Sequence, residues 1–459
     1  MGKTYSSFEE KAINIRPSKR QLLWQETEFY GFIHFSINTF TEKQWGDGRE
    51  SPLLFDPSDL DVEEWIKVIK SAGMKGLILT CKHHDGFCLW PSLFTEYSVK
   101  NSPYLNGSGD IVKEVSEACL KHGIKFGVYL SPWDRHDKRY GQGQSYNDYF
   151  CSQLTELVTQ YGELFSIWFD GACGEGENGR VQRYDWERYY DIIRLNQPNA
   201  CISVCGPDVR WCGNESGATR DQEWSIVPEI LRDAEKTMEQ SQTNDQHADF
   251  IHKETSSSEL LGDRKTLKRF ENWVWYPCEV NLSIRPSWFY SKAEDNQVKS
   301  VHELLELYYR TVGGNTTLLL NIPPDKRGRI HENDKAVLTK LGKELRTDFQ
   351  FDLLKEAKNL NSQSTTVKYL NCQNEFLIHF DREQSISRLI LQEEISKGQR
   401  VESFKFEVFK EGNYESIYQG SVIGYKTICR FEKVTGQSFR LSILESREEP
   451  LIRSVQLYE

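Results

Sequence analysis

Asp170 closes the apolar run SIWFDG, so a strand there carries its carboxylate to the C-terminal end, with Gly171 permitting a sharp exit. The plainer reading of such a residue is a helix-capping aspartate in a strand-to-helix loop. Cleaving a glycosidic bond through an oxocarbenium-like transition state needs a second carboxylic acid. Glu215, in RWCGNESG just beyond the following strand, is the best-placed partner, and Asp208 and Glu223 (in DQEWS) compete with it on spacing. Other strand ends add hydrogen-bonding groups: His34, then His83-His84-Asp85, then Trp133-Asp134, then Asp208 and Arg210. A ring of donors and acceptors with aromatic neighbours suits a polyhydroxylated ligand, whose C–H faces lie on flat apolar surfaces.

Other chemistries fit less well. Adjacent His83 and His84 on an extended segment point opposite ways, and no second His/Asp/Glu set has ligand spacing, so the expected metal count is none. Cys201 and Cys205 fall in or at the end of a buried strand, which makes them and Cys212 core cysteines rather than a zinc cluster. The chain has no G-x-S-x-G elbow and no phosphate-binding glycine loop.

The elements that must position these residues alternate. Short apolar strands are expected at Gly31–Ser36, Gly76–Cys81, Lys125–Leu130, Leu164–Asp170 and Ala200–Cys205. Between them, helical spacing runs through Val62, Trp65, Ile66 and Ile69, through Ile111, Val112, Val115 and Ala118, through Phe150, Leu154, Leu157 and Val158, and through Trp186, Tyr189, Tyr190 and Ile193. Asp61 and Asp110 stand where N-caps belong, and Gly73 and Gly123 where helices stop. Strands Glu279–Ile284 and Thr317–Asn321, with helices near Val298–Thr311 and Asp334–Leu345, continue the pattern. The fold class is α/β, a (β/α)8-like TIM barrel over residues 1–348, because each helix returns the chain to a parallel neighbour. Residues 349–459 depart from this alternation. There FLIHF, ISRLILQEEI, ESFKFEVF, ESIYQGSVIGY, SFRLSI and IRSVQLY are alternating segments between polar turns, as in a C-terminal antiparallel β-sandwich. Arg232 to Asn272 is polar and poor in strand signals, as a long loop at the barrel mouth would be.

Composition bounds the partners. A net charge of −11 without a dense Lys/Arg block excludes nucleic acid, and no apolar run reaches membrane-span length. The opening MGKTYSSFEEKAIN lacks the apolar core of a secretory signal, so the expected location is cytoplasmic. Eleven scattered cysteines fit a reducing setting. Oligomeric state is left open.

At these residues the chain resembles glycoside hydrolase family 29, the α-L-fucosidases. The resemblance is carried by FIHFSINTFTEKQWGDG, LTCKHHDGFCLW, FGVYLSPWDRH, IWFDG, CGPDVRWCGNESG, CEVNLSIRPSWFY and GGNTTLLLNIPPDKRGRI, in family order over residues 30–330. The NTFTEKQWGDG and RWCGNE blocks look like the subgroup selective for 1,3/1,4-linked fucose on Lewis-type glycans.

The resemblance implies Asp170 as nucleophile and Glu215 as general acid/base of a retaining exo-α-L-fucosidase without cofactor, acting on fucosylated oligosaccharides. It implies that His34, His83 and His84 bind fucose hydroxyls, that Trp45, Tyr129, Trp133 and Trp168 line the pocket, that Arg210 orients the acid or the sugar, and that Trp288 and Phe289 pack on the C5 methyl group. Gln44 departs from the Glu common in the family, which hands that position's hydroxyl-binding role to Glu42 or removes it. A transfucosylase, a non-catalytic fucosylated-glycan-binding protein and, behind these, a metal-dependent barrel hydrolase are the alternatives.

Overall fold

The computed structural model describes residues 7–220, 222–241, 260–356, 358–359, 370–371 and 374–459. Eight parallel strands make the first sheet: β1 (Phe29–Ile33), β2 (Gly76–Lys82), β3 (Lys125–Leu130), β4 (Ser166–Phe169), β5 (Cys201–Val204), β6 (Arg210–Trp211), β7 (Cys278–Ser283) and β8 (Thr317–Asn321). Their order is β5-β4-β3-β2-β1-β8-β7-β6, and Ser203 on β5 bridges Val209 just ahead of β6, so the sheet closes into the expected TIM-like barrel.

Helices α1 (Val62–Ser71), α2 (Ile111–His122), α3 (Gln144–Gln160), α4 (Trp186–Asn196), α5 (Val301–Thr311) and α6 (Glu332–Asp348) cover the outside. Local chemistry starts and stops them. Asp61 and Asp110 each accept a backbone N–H three residues on, at 2.9 Å, Ser300 and Glu303 close a capping box, and Gly123 ends α2 at φ +66°. The faces they bury, Trp65, Ile66 and Ile69 on α1 for example, are wholly inaccessible and merge with the strand side chains in one core.

The crossover rule fails once. No helix joins β5 to β6: residues 205–209 make the connection, and β5 ends on Val204 at φ +68°, a left-handed conformation that costs a β-branched residue strain. The two-residue β6 was invisible to periodicity because alternation cannot register over so few positions. In the region expected as a long loop, the described residues instead include helix Ala234–Ser241 and a helical turn Arg264–Leu267, and an antiparallel pair, Ile226–Pro228 with Trp273–Trp275, brackets it. Residues 242–259 of that expected loop lie outside the described residues.

The second sheet is antiparallel, with five main strands: β9 (Glu375–Glu393), β10 (Val401–Lys410), β11 (Asn413–Gly420), β12 (Thr427–Ser446) and β13 (Leu451–Tyr458). FLIHF and ISRLILQEEI are not separate strands. The polar DREQS between them continues across a β-bulge, and pairing resumes at Gln384 opposite Gly436. SFRLSI is likewise the second half of β12. Phe376, Leu389, Phe404, Phe406, Phe439 and Leu457 gather in this domain's own core. It docks on the barrel through Arg388 on Asp348 (2.8 Å), a two-pronged Arg430–Glu306 pair (2.6 Å each) and the Ile428 amide on the Gly313 carbonyl (2.9 Å).

Candidate active site

A cavity of about 480 Å³ opens where the barrel strands end. Its lining comes from nearly every strand. His34 follows β1, His83 and His84 follow β2, Tyr129 lies on β3, Trp168 and Asp170 come with β4, Trp211 lies on β6, Glu215 follows it, Asn281 lies on β7 and Trp288 follows that. Trp45 completes the wall from the loop between β1 and α1.

Asp170 is held by one donor on each oxygen: the Tyr129 hydroxyl on Oδ2 and the Ala172 amide on Oδ1, both at 2.8 Å. The carboxylate is thus oriented yet keeps a lone pair on each oxygen for a ligand atom. Gly171 is needed for space rather than for an unusual backbone angle, because a Cβ there would stand 2.6 Å from Ser241 Oγ.

Two of the histidines, His34 and His84, are acceptors. Asn321 Nδ2 donates to the Trp288 carbonyl (2.8 Å) and Ser283 Oγ (3.0 Å), so its Oδ1 must take the His34 Nδ1–H (2.8 Å), leaving the His34 Nε2 lone pair. Ser131 Oγ donates to the Trp133 carbonyl (2.7 Å) and therefore accepts from His84 Nδ1 (2.7 Å), with Nε2 3.7 Å from Asp170 Oδ2. Burial pushes His34 down to about 3, against the Asn321 bond and with help from His84. Burial also lowers His83 and His84, although Asp170 opposes the shift at His84. His34 and His84, neutral with Nδ1 committed to the protein, can each accept a hydrogen bond from a hydroxyl group at Nε2.

Glu215 Oε2 accepts the Trp288 Nε1–H at 3.0 Å. Crowding by surrounding protein, then the Asp170 charge, push Glu215 up to about 7 against that hydrogen bond. The residue keeps solvent access through the cavity mouth, and a sugar ring that displaced this water would push it further the same way. Two carboxyl groups with opposite demands thus share one cavity: one oriented by donors, the other inclined to hold a proton.

The rival acids lie elsewhere. Glu223 is buried between Arg210 (2.7 Å) and Arg220 (3.1 Å). Burial alone would raise its pKa, but the two guanidiniums outweigh it and hold the carboxyl below the usual range. Asp208 binds Arg20 (2.9 Å), Arg194 and the Ile202 amide (2.9 Å). Arg210, expected to orient the acid or the sugar, is not in the cavity lining, because Glu223 holds it in the interior. Glu223→Gln leaves two buried guanidiniums around a neutral amide and should cost roughly 3–5 kcal/mol of stability. A lower urea midpoint with normal turnover per folded molecule is expected, and an unchanged midpoint would remove this structural role.

Trp133 and Phe289 stand behind the lining. Trp133 packs on His84 and Trp45, with ring centroids 5.2 and 5.5 Å apart, and Phe289 packs on His34 and His83 at 5.3 and 5.0 Å. Gln44 Oε1 accepts the backbone amides of Trp288 (2.9 Å) and Phe289 (3.1 Å), whereas Glu42 pairs with Lys326 on the surface. Trp211 and Asn281, bonded to each other at 2.6 Å, also line the cavity and were missed. A signal existed for Asn281. In CEVNLS the polar Glu279, Asn281 and Ser283 recur at spacing two, the period of the face that a barrel strand turns inward. Among the described residues no group of three or more His, Cys, Asp or Glu side chains is arranged to hold a metal ion.

Barrel, appended antiparallel sheet and two-carboxylate cavity define the class, a glycoside hydrolase. The family model for alpha-L-fucosidase matches residues 18–348. Alpha-L-fucosidase 1 of Arabidopsis thaliana is 36% identical over 96% of this chain and 87% of its own length. A solved glycoside hydrolase 29 family member from an unknown rumen bacterium is 38% identical, with a TM-score of 0.81 over 97% of this chain and 77% of that one. A Ruminococcus gnavus glycoside hydrolase 29 fucosidase, solved in complex with fucose, is 27% identical with a TM-score of 0.82, covering 100% of this chain and 97% of that one. The chain belongs to the α-L-fucosidase family, glycoside hydrolase family 29.

Proposed function

We propose that this α-L-fucosidase is a retaining exo-enzyme that removes terminal α-1,3/1,4-linked fucose from Lewis-type oligosaccharides, with Asp170 as nucleophile and Glu215 as acid/base. The observation that carries the reading is the pairing of Asp170, oriented by Tyr129 and Ala172, with Glu215, raised to about 7, in one cavity. The fucose complex of the R. gnavus relative supports a monosaccharide of this kind as the occupant.

In the first step Asp170 bonds to the anomeric carbon while Glu215 protonates the departing oxygen. In the second, water attacks the fucosyl ester as Glu215 takes its proton, and fucose leaves with its configuration kept. The Asp170 charge that helps to raise Glu215 vanishes on esterification, so Glu215 becomes easier to ionise when it must act as a base. His34, His83 and His84 accept fucose hydroxyls over a floor of Tyr129 and Trp168. Trp45, half exposed at the rim, and Trp211 offer flat faces to the rest of the glycan.

A panel of 1,2-, 1,3-, 1,4- and 1,6-linked fucosides, with the released anomer followed by NMR, tests the proposal. Hydrolysis of 1,3- and 1,4-linked branched substrates with α-fucose as first product is expected. Preference for 1,2- or 1,6-linkages would overturn the specificity, and β-fucose the mechanism.

A further inference from the structure

Among the described residues, Trp288 is the side chain that hydrogen-bonds Glu215, and Glu215 Oε1 takes no hydrogen bond. An indole N–H can donate and cannot accept. A proton on Oε2 would compete with that N–H for the same edge of the oxygen, so the acid form carries its hydrogen on Oε1. We infer that Trp288 decides which oxygen of Glu215 reacts: its Nε1–H holds Oε2 and leaves Oε1 to protonate the glycosidic oxygen and later to accept the proton of water. This rests on Glu215 being the acid/base.

The indole is well placed to impose that choice, because its own backbone is tied on both sides. The Trp288 amide donates to Gln44 Oε1 (2.9 Å), its carbonyl accepts from Asn321 Nδ2 (2.8 Å), and its ring rests 5.1 Å from that of His34. The loop after β1 and the last residue of β8 thus fix one donor on the loop after β7. The proton balance follows. As the bond from C1 to the leaving oxygen breaks and the bond to Asp170 forms, the Oε1 proton moves to the leaving group, and the resulting carboxylate is stabilised by the N–H on Oε2. As water bonds C1 and the ester breaks, its proton returns to Oε1.

The groups around Glu215 are few in kind. Asp170 faces it from β4 as the charged partner. His34, His83 and His84 after β1 and β2 are held neutral by burial, while Tyr129 and Cys173 line the same cavity. Behind the Glu215 loop, Arg310 of α5 binds the Gly217 carbonyl (2.8 Å), and Arg210 and Arg220 are engaged by Glu223.

Trp288→Phe keeps an aromatic ring and removes the donor. Activity on oligosaccharides requires protonated Glu215, so the wild-type rate should fall as pH rises through about 7. Loss of a donor that favours the ionised form moves this basic limb upward by roughly one pH unit. Turnover of an oligosaccharide should fall roughly tenfold at the plateau, while the fucosylation step of an aryl fucoside with a good leaving group, read from the phenol burst, should fall less, since it needs little protonation. A limb left at its wild-type position overturns the inference, provided that Glu215→Gln removes the limb. If Glu215→Gln retains it, the acid/base assignment itself fails. Should Trp288→Phe not fold, a crystal structure of the wild-type enzyme trapped with a 2-deoxy-2-fluoro-fucosyl donor decides. Water on Oε1 with Oε2 still bonded to Nε1 is expected, and water on Oε2 with the indole withdrawn refutes the assignment.

Discussion

Asp170→Ala abolishes hydrolysis of every fucoside, a loss on the order of 10⁴–10⁶ in turnover. The size follows from what the side chain alone supplies. Tyr129 and the Ala172 amide aim their hydrogens at its two oxygens, and without the carboxylate no oxygen is left between them to bond the anomeric carbon. The space vacated is that of a small anion. Azide added to the variant should enter it, attack the anomeric carbon from the same face and release β-fucosyl azide, detectable by NMR. No covalent sugar then forms on the protein, so the azide keeps the inverted configuration. Turnover near the wild-type level, or an α-azide product, would remove Asp170 from the role of nucleophile.

Glu215→Ala slows release of fucose from oligosaccharides by roughly 10²–10⁴. Aryl fucosides with good leaving groups lose far less in the first step but stall in the second, where water has no base. A burst of the phenol followed by slow turnover is the expected time course. Equal losses on both substrate types at fucosylation would show that the acid lies elsewhere. The structure offers no ready substitute: Glu223 is held ionised by two arginines, and Asp208 is committed to Arg20, Arg194 and a backbone amide.

Much of this was legible in the residues, for physical reasons. Barrel strands covered by helices must be almost wholly apolar, which made β1 to β5 visible, and Asp61 and Asp110 advertised their helices because a cap needs an oxygen there. Side chains at the ends of such strands converge, so His34, His83, His84 and Asp170 declared themselves by position. Arg210 did not, because sequence neighbours cannot tell a cavity-facing guanidinium from one folded back on a carboxylate thirteen residues later. Nor did β6, which is held by pairing with β7 rather than by any pattern of its own. Gln44 drew notice for lacking a charge, yet its function is to accept two backbone amides, which depends on a loop more than two hundred residues away. In the second domain, long bulged strands look like pairs of short ones, because a bulge and a turn both recruit polar residues.

The missing helix between β5 and β6 makes the wall of the barrel uneven. Asp170 rises from a strand hydrogen-bonded on both flanks, Ser166–Phe169 lying between β3 and β5. Glu215 hangs from a two-residue strand, joined to one neighbour by two pairs and to the other by a single bridge beside the strained Val204. On the proposed assignment the attacking group is therefore held from both sides, and the proton carrier from a shorter, less paired strand. Warming short of unfolding is expected to loosen the second before the first, which hydrogen exchange at the Arg210 and Trp211 amides against those of Ser166–Phe169 would read.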